Sequence, residues 1–155
     1  MSYFELRLEV AGEPGNHSVE VDTDKGIQLK RLHFEFNYWP FDPIVDCIGG
    51  GRIVTVPLKK AIQAIHATGV SFGPVEISKS DSFDELAEMF NKNERFPDYA
   101  WLQIFGIAGH DDFGLSSRNR PVVSDRILGT LQAAGMSHCE IHTFQPGMGT
   151  LKLIK

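Results

Sequence analysis

The sequence predicts an α+β (α/β) fold in which helices pack on a mixed sheet. The main observation is a faint internal repeat: residues 56–77 and 122–141 both run from a β-branched entry through an apolar helix to Ala-x-Gly, and both finish in Glu-Ile. Other stretches alternate apolar and polar residues, which is typical of half-buried strands. We therefore predict a single two-lobed domain over residues 1–155, with helix–Gly–strand units at about 53–78 and 120–144.

The composition fits a globular chain of ordinary size. With 155 residues, 42% of them hydrophobic, a core can form without a disulfide or metal. The formal net charge of −5 argues against a nucleic-acid partner, because duplex binding needs clustered Lys and Arg. It is compatible with a basic protein partner. Cys47 and Cys139 lie in apolar surroundings and are predicted to stay reduced.

The N-terminal third predicts two strands. Apolar residues alternate with polar ones over residues 3–10 and again over residues 32–38, the period expected when one face of a strand is buried. Between them, GEPGNH has the composition of a loop. Pro40 and Pro43 are predicted to end the second strand, since proline lacks an amide donor and restricts the residue before it.

The first helical unit follows a run of three glycines at 49–51, which we interpret as a flexible loop because no Lys-Ser/Thr follows it as in a phosphate loop. A short strand is predicted at 53–56, and Pro57 suits the first turn of the helix after it. Gly69 is predicted to end this helix, and a strand to follow at 75–78. The apolar stripe of the helix consists of Leu58, Ala61, Ile62 and Ile65.

The C-terminal half predicts two more helices. Ser82 and Glu85 fit a capping box for one, with an apolar face of Phe83, Leu86, Ala87 and Phe90. A nearly all-apolar strand is predicted over 100–108. Ser124 is the predicted N-cap of the last helix, and strands are predicted at 138–144 and in the LKLI segment near the C-terminus. This last helix is predicted to bury Ile127, Leu128 and Leu131.

Two clusters have the residue types of catalytic or metal sites. His110 could act as a base oriented by Asp111 or Asp112, but no nucleophile in a recognisable context lies nearby, so we predict no catalytic residues and interpret this loop as a partner contact. His138, Glu140 and His142 alternate as zinc ligands on a strand could, but we interpret them as the polar, solvent-facing side of a strand edge. We therefore predict no metal and no cofactor.

Partner-binding residues are predicted in two places. Trp39 and Phe41 lie beyond the strand at 32–38 and next to prolines, where exposed aromatic side chains would mark a protein interface. Asp111, Asp112 and Phe113 combine negative charge with an apolar anchor. The N-terminus lacks the basic start and apolar run of a signal peptide, and no stretch is apolar over ~18 residues, so a cytoplasmic protein without membrane contact is expected.

A resemblance to a known family rests on residues 101–144. An apolar strand, the loop Asp111-Asp112-Phe113, the run PVVSDR at 121–126, a Leu-rich helix, Gly135 and a closing strand together resemble small bacterial immunity proteins of polymorphic toxin systems, among them paralogues with paired CxxCG motifs. The start YFEL and the run VPL at 56–58 are similar as well. This chain has no CxxCG motif, so the zinc knuckle of those paralogues is not expected.

The resemblance implies a cytoplasmic, non-enzymatic immunity protein that binds and neutralises a cognate toxin. The acidic balance of this chain would match a basic toxin. Two alternatives remain open from the sequence. One is a small-ligand-binding or regulatory domain that uses the cleft between the two helical units, and the other is a small enzyme that uses His110, Asp111 and Asp112.

Overall fold

The computed structural model describes residues 1–83 and 96–155, which fold into an α+β architecture. Residues 81–83 are helical at the edge of the described part. The helices whose full extent is described are α1 (Val56–Ala64) and α2 (Asp125–Ala133). The strands are β1 (Tyr3–Arg7), β2 (Val10–Pro14), β3 (Val19–Thr23), β4 (Gly26–Arg31), β5 (His33–Phe36), β6 (Ile44–Cys47), β7 (Arg52–Thr55), β8 (Val70–Gly73), β9 (Glu76–Lys79), β10 (Tyr99–Ile104), β11 (Phe113–Leu115), β12 (Pro121–Ser124), β13 (Glu140–Gln145) and β14 (Gly149–Leu153).

The strands form two large sheets and one hairpin. Sheet A is antiparallel with the order β11-β12-β1-β13-β14. Sheet B has the order β8-β10-β7-β6-β2-β5-β9 and is mixed, because β2 runs parallel to β6 and β5 runs parallel to β9. Strands β3 and β4 pair only with each other in this strand order. The chain enters sheet A through β1 and passes directly into sheet B through β2.

Both described helices connect strands that flank a third, antiparallel strand. In sheet B, β7 and β8 lie on either side of β10, and in sheet A, β12 and β13 lie on either side of β1. Gly69 and Gly135 follow the two helices with positive φ angles of 79° and 104°, which glycine adopts without steric cost. The predicted match between Glu76-Ile77 and Glu140-Ile141 is wrong, because residues 76–77 lie in β9, next to β5, while β8 takes the place after α1. That the two units superpose stays a prediction.

Two apolar cores lie on the two faces of sheet B. The first core joins both sheets and both helices, and it confirms the predicted burial of the last helix through Ile127, Leu128 and Leu131. The second core covers the other face of sheet B with aromatic side chains, including Phe34, Phe36, Phe83 and Trp101. Among the described residues, no helix has the length and apolar character required to cross a bilayer.

Several strands were not predicted because their sequences are short or solvent-exposed. GEPGNH was expected to be a loop, yet Gly12 and Pro14 belong to β2; a Cβ on Gly12 would lie 2.2 Å from the carbonyl oxygen of Glu35, so only glycine permits this pairing. Both strands of the β3–β4 hairpin are largely exposed and lack a clear apolar face. The strand expected over 100–108 ends at Ile104, and Phe105 and Ile107 beyond it are exposed.

The helix ends differ from the predicted caps. Helical residues begin at Asp81, so Ser80 occupies the N-cap position in place of Ser82, and its hydroxyl accepts the Phe83 N–H at 3.2 Å. The capping-box partner Glu85 and the apolar residues Leu86, Ala87 and Phe90 lie outside the described residues. Ser124 does precede α2, but its hydroxyl makes no bond to the helix. Helix α1 was predicted to end at Gly69 but already ends at Ala64. The chain turns away from the helix at His66, which has a positive φ of 53°.

Candidate functional site

Two buried carboxylates organise the surface around Phe41. Glu9, in the short link between β1 and β2, is only 8% exposed. Its carboxylate accepts the Phe41 N–H at 3.1 Å, the Asp42 N–H at 3.0 Å and the Tyr38 hydroxyl at 2.9 Å. Burial, followed by the hydrogen bond to Glu9, raises the pKa of Tyr38. The hydrogen bonds to the Glu9 carboxylate therefore fix the turn after β5.

Asp42 extends this arrangement to the segment between α2 and β13. It is 4% exposed, and its carboxylate accepts the main-chain N–H groups of Ser137 at 2.9 Å and His138 at 2.9 and 3.1 Å. The His138 Nδ1 lies 3.5 Å from the same carboxylate. Two segments separated by about a hundred residues in sequence are thus fixed against each other by charge-assisted hydrogen bonds.

The result is an exposed aromatic pair on a fixed base, which we call the Phe41 platform (Phe41 and His138 with their supports Glu9 and Asp42). The Phe41 side chain is 68% exposed, and its ring stacks on the His138 imidazole with centroids 4.4 Å apart and planes 20° apart. A surface groove of about 380 Å³ adjoins His138. It is lined by Arg7, Leu8, Ser137, His138, Cys139, Glu140 and Lys155.

The predicted interface residues of the 111–113 loop lie elsewhere, and two of them are buried. Phe113 is inaccessible in the first core, and Asp112 is 6% exposed. The prediction that they contact a partner requires accessible side chains, so it is corrected here: both hold the fold together. Asp111 is half-buried and accepts the Ile107 N–H at 2.7 Å, which closes its own loop.

Asp112 is the centre of a hydrogen-bond network between the two helical units. Its carboxylate accepts Arg126 Nε at 2.9 Å, Arg126 Nη2 at 2.5 Å, the Ser124 hydroxyl at 2.7 Å and the Thr68 N–H at 2.9 Å. Arg126 also donates to the Ile65 carbonyl at 2.9 Å. The hydrogen bonds from Arg126 hold the pKa of Asp112 well below its usual range, although burial opposes them. The VVSDR run therefore joins α2 to the end of α1.

The catalytic hypothesis for His110, Asp111 and Asp112 gains no support from this geometry. The His110 side chain is exposed and makes no hydrogen bond to the described residues. Its main-chain carbonyl accepts the Tyr3 hydroxyl at 3.1 Å, and its main-chain N–H donates to the Ile107 carbonyl at 3.0 Å. Both carboxylate oxygens of Asp112 already accept hydrogen bonds from Ser124, Thr68 and Arg126. Trp39 also differs from its prediction, because it is half-buried and stacks on Phe96 with centroids 4.7 Å apart in the second core.

A different set of possible metal ligands comes together at the base of the β3–β4 hairpin. His17, His33 and Glu76 place their ligand atoms within 4.8 Å of one another. No spacing of residues in the sequence predicts this set, because its three members come from separate segments. His138, which was considered as a ligand from its alternation with Glu140 and His142, precedes β13 and belongs to the Phe41 platform instead.

The hydrogen bonds of His33 oppose metal binding at this cluster. The His33 Nδ1 accepts the His17 N–H at 3.2 Å, so the neutral ring carries its proton on Nε2. That nitrogen faces the Ser78 hydroxyl at 2.7 Å and Glu76 Oε2 at 3.4 Å. A metal would need the lone pair of Nε2 and a proton on Nδ1. We interpret the cluster as a clasp in which Glu76 also pairs with His17 at 2.6 Å and with Arg31 at 3.2 Å.

No protein-family model matches this chain, and no curated protein sequence matches it. The resemblance to immunity proteins therefore rests on residues 3–6, 56–58 and 101–144 of the sequence alone.

Proposed function

We propose that this chain is a non-enzymatic immunity protein that binds and neutralises a cognate bacterial toxin, with the Phe41 platform at the centre of the contact. The observation that carries the proposal is the exposed Phe41 ring held on His138 by two buried carboxylates. A cytoplasmic location belongs to the same proposal.

The Phe41 platform is preorganised for binding. A phenylalanine ring that becomes buried on binding contributes ~1.5–3 kcal/mol through the hydrophobic effect. Part of such a gain is normally lost in ordering the loop that carries the ring. Here Glu9 and Asp42 already fix the main chain of Phe41 and of His138, so the entropic cost of binding is reduced. Aromatic anchors of this kind are typical hot spots of protein interfaces.

Charge supports a basic toxin as the partner. The chain carries a net charge of −5, which would accelerate the approach of a cationic protein through long-range attraction. Charges beside the platform are mixed, since Arg7 pairs with Glu140 at 3.1 Å and Lys155 lines the same groove. The overall negative charge therefore attracts the toxin over long distances, and Phe41 makes the central apolar contact with it.

The test is protection of cells by co-expression with the product of a neighbouring toxin-like gene. Phe41→Ala should weaken binding about 30-fold or more, the loss typical of a hot-spot residue, without changing the denaturation midpoint. Phe105→Ala is the matched control, because Phe105 is 71% exposed and lies in the loop after β10. If the wild-type chain neither co-purifies with that product nor protects cells from it, the immunity proposal fails. Equal effects of the two substitutions would remove the platform from the interface.

A further inference from the structure

Strand β8 leaves one edge of sheet B open beside α1. In sheet A, the strand that follows α2 is β13, and its outer edge is covered by β14. In sheet B, the strand that follows α1 is β8, which ends the strand order, and no strand of the described chain covers its outer edge. Sheet A therefore has a strand, β14, at the position where sheet B has an open edge in the described part of the chain.

The main-chain groups of β8 that point to this edge can be identified from its register. Gly69 and Phe105 continue the pairing of β8 with β10, and the Phe105 N–H donates to the Gly69 carbonyl at 2.9 Å. Hydrogen-bonded and non-hydrogen-bonded pairs alternate in antiparallel sheets. Ser71 therefore bonds to β10, and the N–H and C=O groups of Val70 and Phe72 point outward. An added strand could pair with these groups.

A groove of about 350 Å³ runs between α1 and this edge. Its apolar floor includes Ile62, Val70 and Phe72, which pack on the first core. Its polar lining includes Lys59, whose Nζ lies 6.0 Å from the centre of the Phe72 ring, and His66. The groove therefore offers an apolar floor, an open strand and a cationic side chain.

We infer that the α1–β8 groove binds an extended acidic peptide segment of a partner protein, which adds to sheet B as an antiparallel strand beside β8. Strand addition to an open edge next to a helix is a recurrent mode of peptide recognition. Charge favours an acidic occupant: Lys59 lines the groove and no acidic side chain does among the described residues, although the whole chain has a net charge of −5. Strand β14 of a second copy is disfavoured, because its sequence GTLKL carries a lysine and no acidic residue and so does not complement Lys59. None of the groove residues named here belongs to the Phe41 platform.

The probe is a fluorescein-labelled octapeptide that alternates valine with glutamate, titrated by fluorescence anisotropy at low ionic strength. Lys59→Glu should weaken its binding about tenfold, whereas Lys60→Glu, with the same charge change on an exposed residue outside the groove, should change it less than about twofold. A peptide that alternates valine with lysine should bind far more weakly. Both variants should keep the wild-type circular dichroism and denaturation midpoint.

Amide hydrogen exchange then locates the peptide. Bound peptide should slow exchange at the amides of Val70 and Phe72 more than at that of Ser71, since only the first two point to the open edge. The inference is overturned if the acidic peptide does not bind at millimolar concentration, if the two lysine substitutions have equal effects, or if protection appears at β14 instead. It is also overturned if the free chain sediments as a dimer and hydrogen exchange shows the same two amides protected in that dimer.

Discussion

Replacing Asp112 by alanine should test whether the network between the two helical units stabilises the fold. The substitution removes the acceptor of five hydrogen bonds, from Arg126 Nε and Nη2, the Ser124 hydroxyl, and the N–H and hydroxyl of Thr68. Ser124 is fully buried, so its hydroxyl would lose its partner without gaining water. The Arg126 side chain is 46% exposed and can be solvated again.

The magnitude follows from these differences in exposure. Hydrogen bonds to a charged acceptor are worth ~1.5–3 kcal/mol when they are shielded, which applies to Ser124 and in part to Thr68. The ion pair with Arg126 is partly screened by solvent and adds at most ~1 kcal/mol. We expect Asp112→Ala to lower the free energy of unfolding by about 3 kcal/mol. Asp111→Ala is the matched control and should cost less than ~1 kcal/mol, because the half-buried Asp111 side chain accepts a single hydrogen bond, from the Ile107 N–H.

The effect should depend on pH with a defined sign. The pKa of Asp112 is lowered in the folded state, so the unfolded chain binds more protons at acidic pH. The contribution of its charge is fully present above the unfolded-state pKa of about 3.9 and is lost as the pH falls towards the folded-state value. The difference in stability between wild type and Asp112→Asn should therefore be constant from about pH 7 to pH 5 and shrink below about pH 4.

The assay is urea denaturation followed by circular dichroism, performed on wild type, Asp112→Ala, Asp112→Asn and Asp111→Ala. Similar losses for Asp112→Ala and Asp111→Ala would refute the assignment of Asp112 to the fold and would restore it as a candidate surface residue. A difference between wild type and Asp112→Asn that does not change with pH would contradict the assigned role of the carboxylate charge.

Three further predictions concern stability and reactivity. Leu131→Ala should cost ~2–5 kcal/mol in urea denaturation, since Leu131 is inaccessible in the first core, whereas exposed Gln132→Ala should change little. Ser80→Ala should cost ~1 kcal/mol through loss of the N-cap bond to Phe83, and a larger loss for Ser82→Ala would contradict the assigned helix start. Burial raises the pKa of Cys47 to about 11 and that of Cys139 to about 12. A thiol reagent at neutral pH should therefore modify both cysteines only after unfolding. Rapid modification of the native chain would show that these cysteines are accessible.

The sequence pattern was most informative where one face of an element meets the core. The last helix, with Ile127, Leu128 and Leu131 buried, and the short strand before α1 were predicted because their apolar residues recur at helical or strand spacing. The β3–β4 hairpin was missed because its side chains are largely exposed on both faces. Strand β8 was missed because the strand after Gly69 was predicted at residues 75–78, whereas the chain already pairs with β10 over residues 70–73.

Candidate site residues were harder to predict, because local sequence does not distinguish an exposed carboxylate from a buried one. Asp112 was taken as a surface residue since it lies in a polar loop, yet its partners Thr68 and Arg126 come from both helical units. Phe41 was predicted to be exposed from its position beyond β5, and the structure exposes it. Its supports Glu9 and Asp42 could not be recognised, because their bonds join segments far apart in the chain.

The order of strands in sheet A has a consequence for folding during synthesis. Strand β1 is made first, but it pairs on one side with β12 and on the other with β13, both of which follow residue 120. The strands of sheet B all lie between residues 10 and 104 and can pair earlier. Until the ribosome has synthesised β12 and β13, the side chains of Phe4 and Leu6 in β1 lack the two strands that pair with β1 in the native sheet. Because long-range pairing is slow, we expect closure of sheet A to be a late step in folding, during which the apolar residues of β1 can contact other chains.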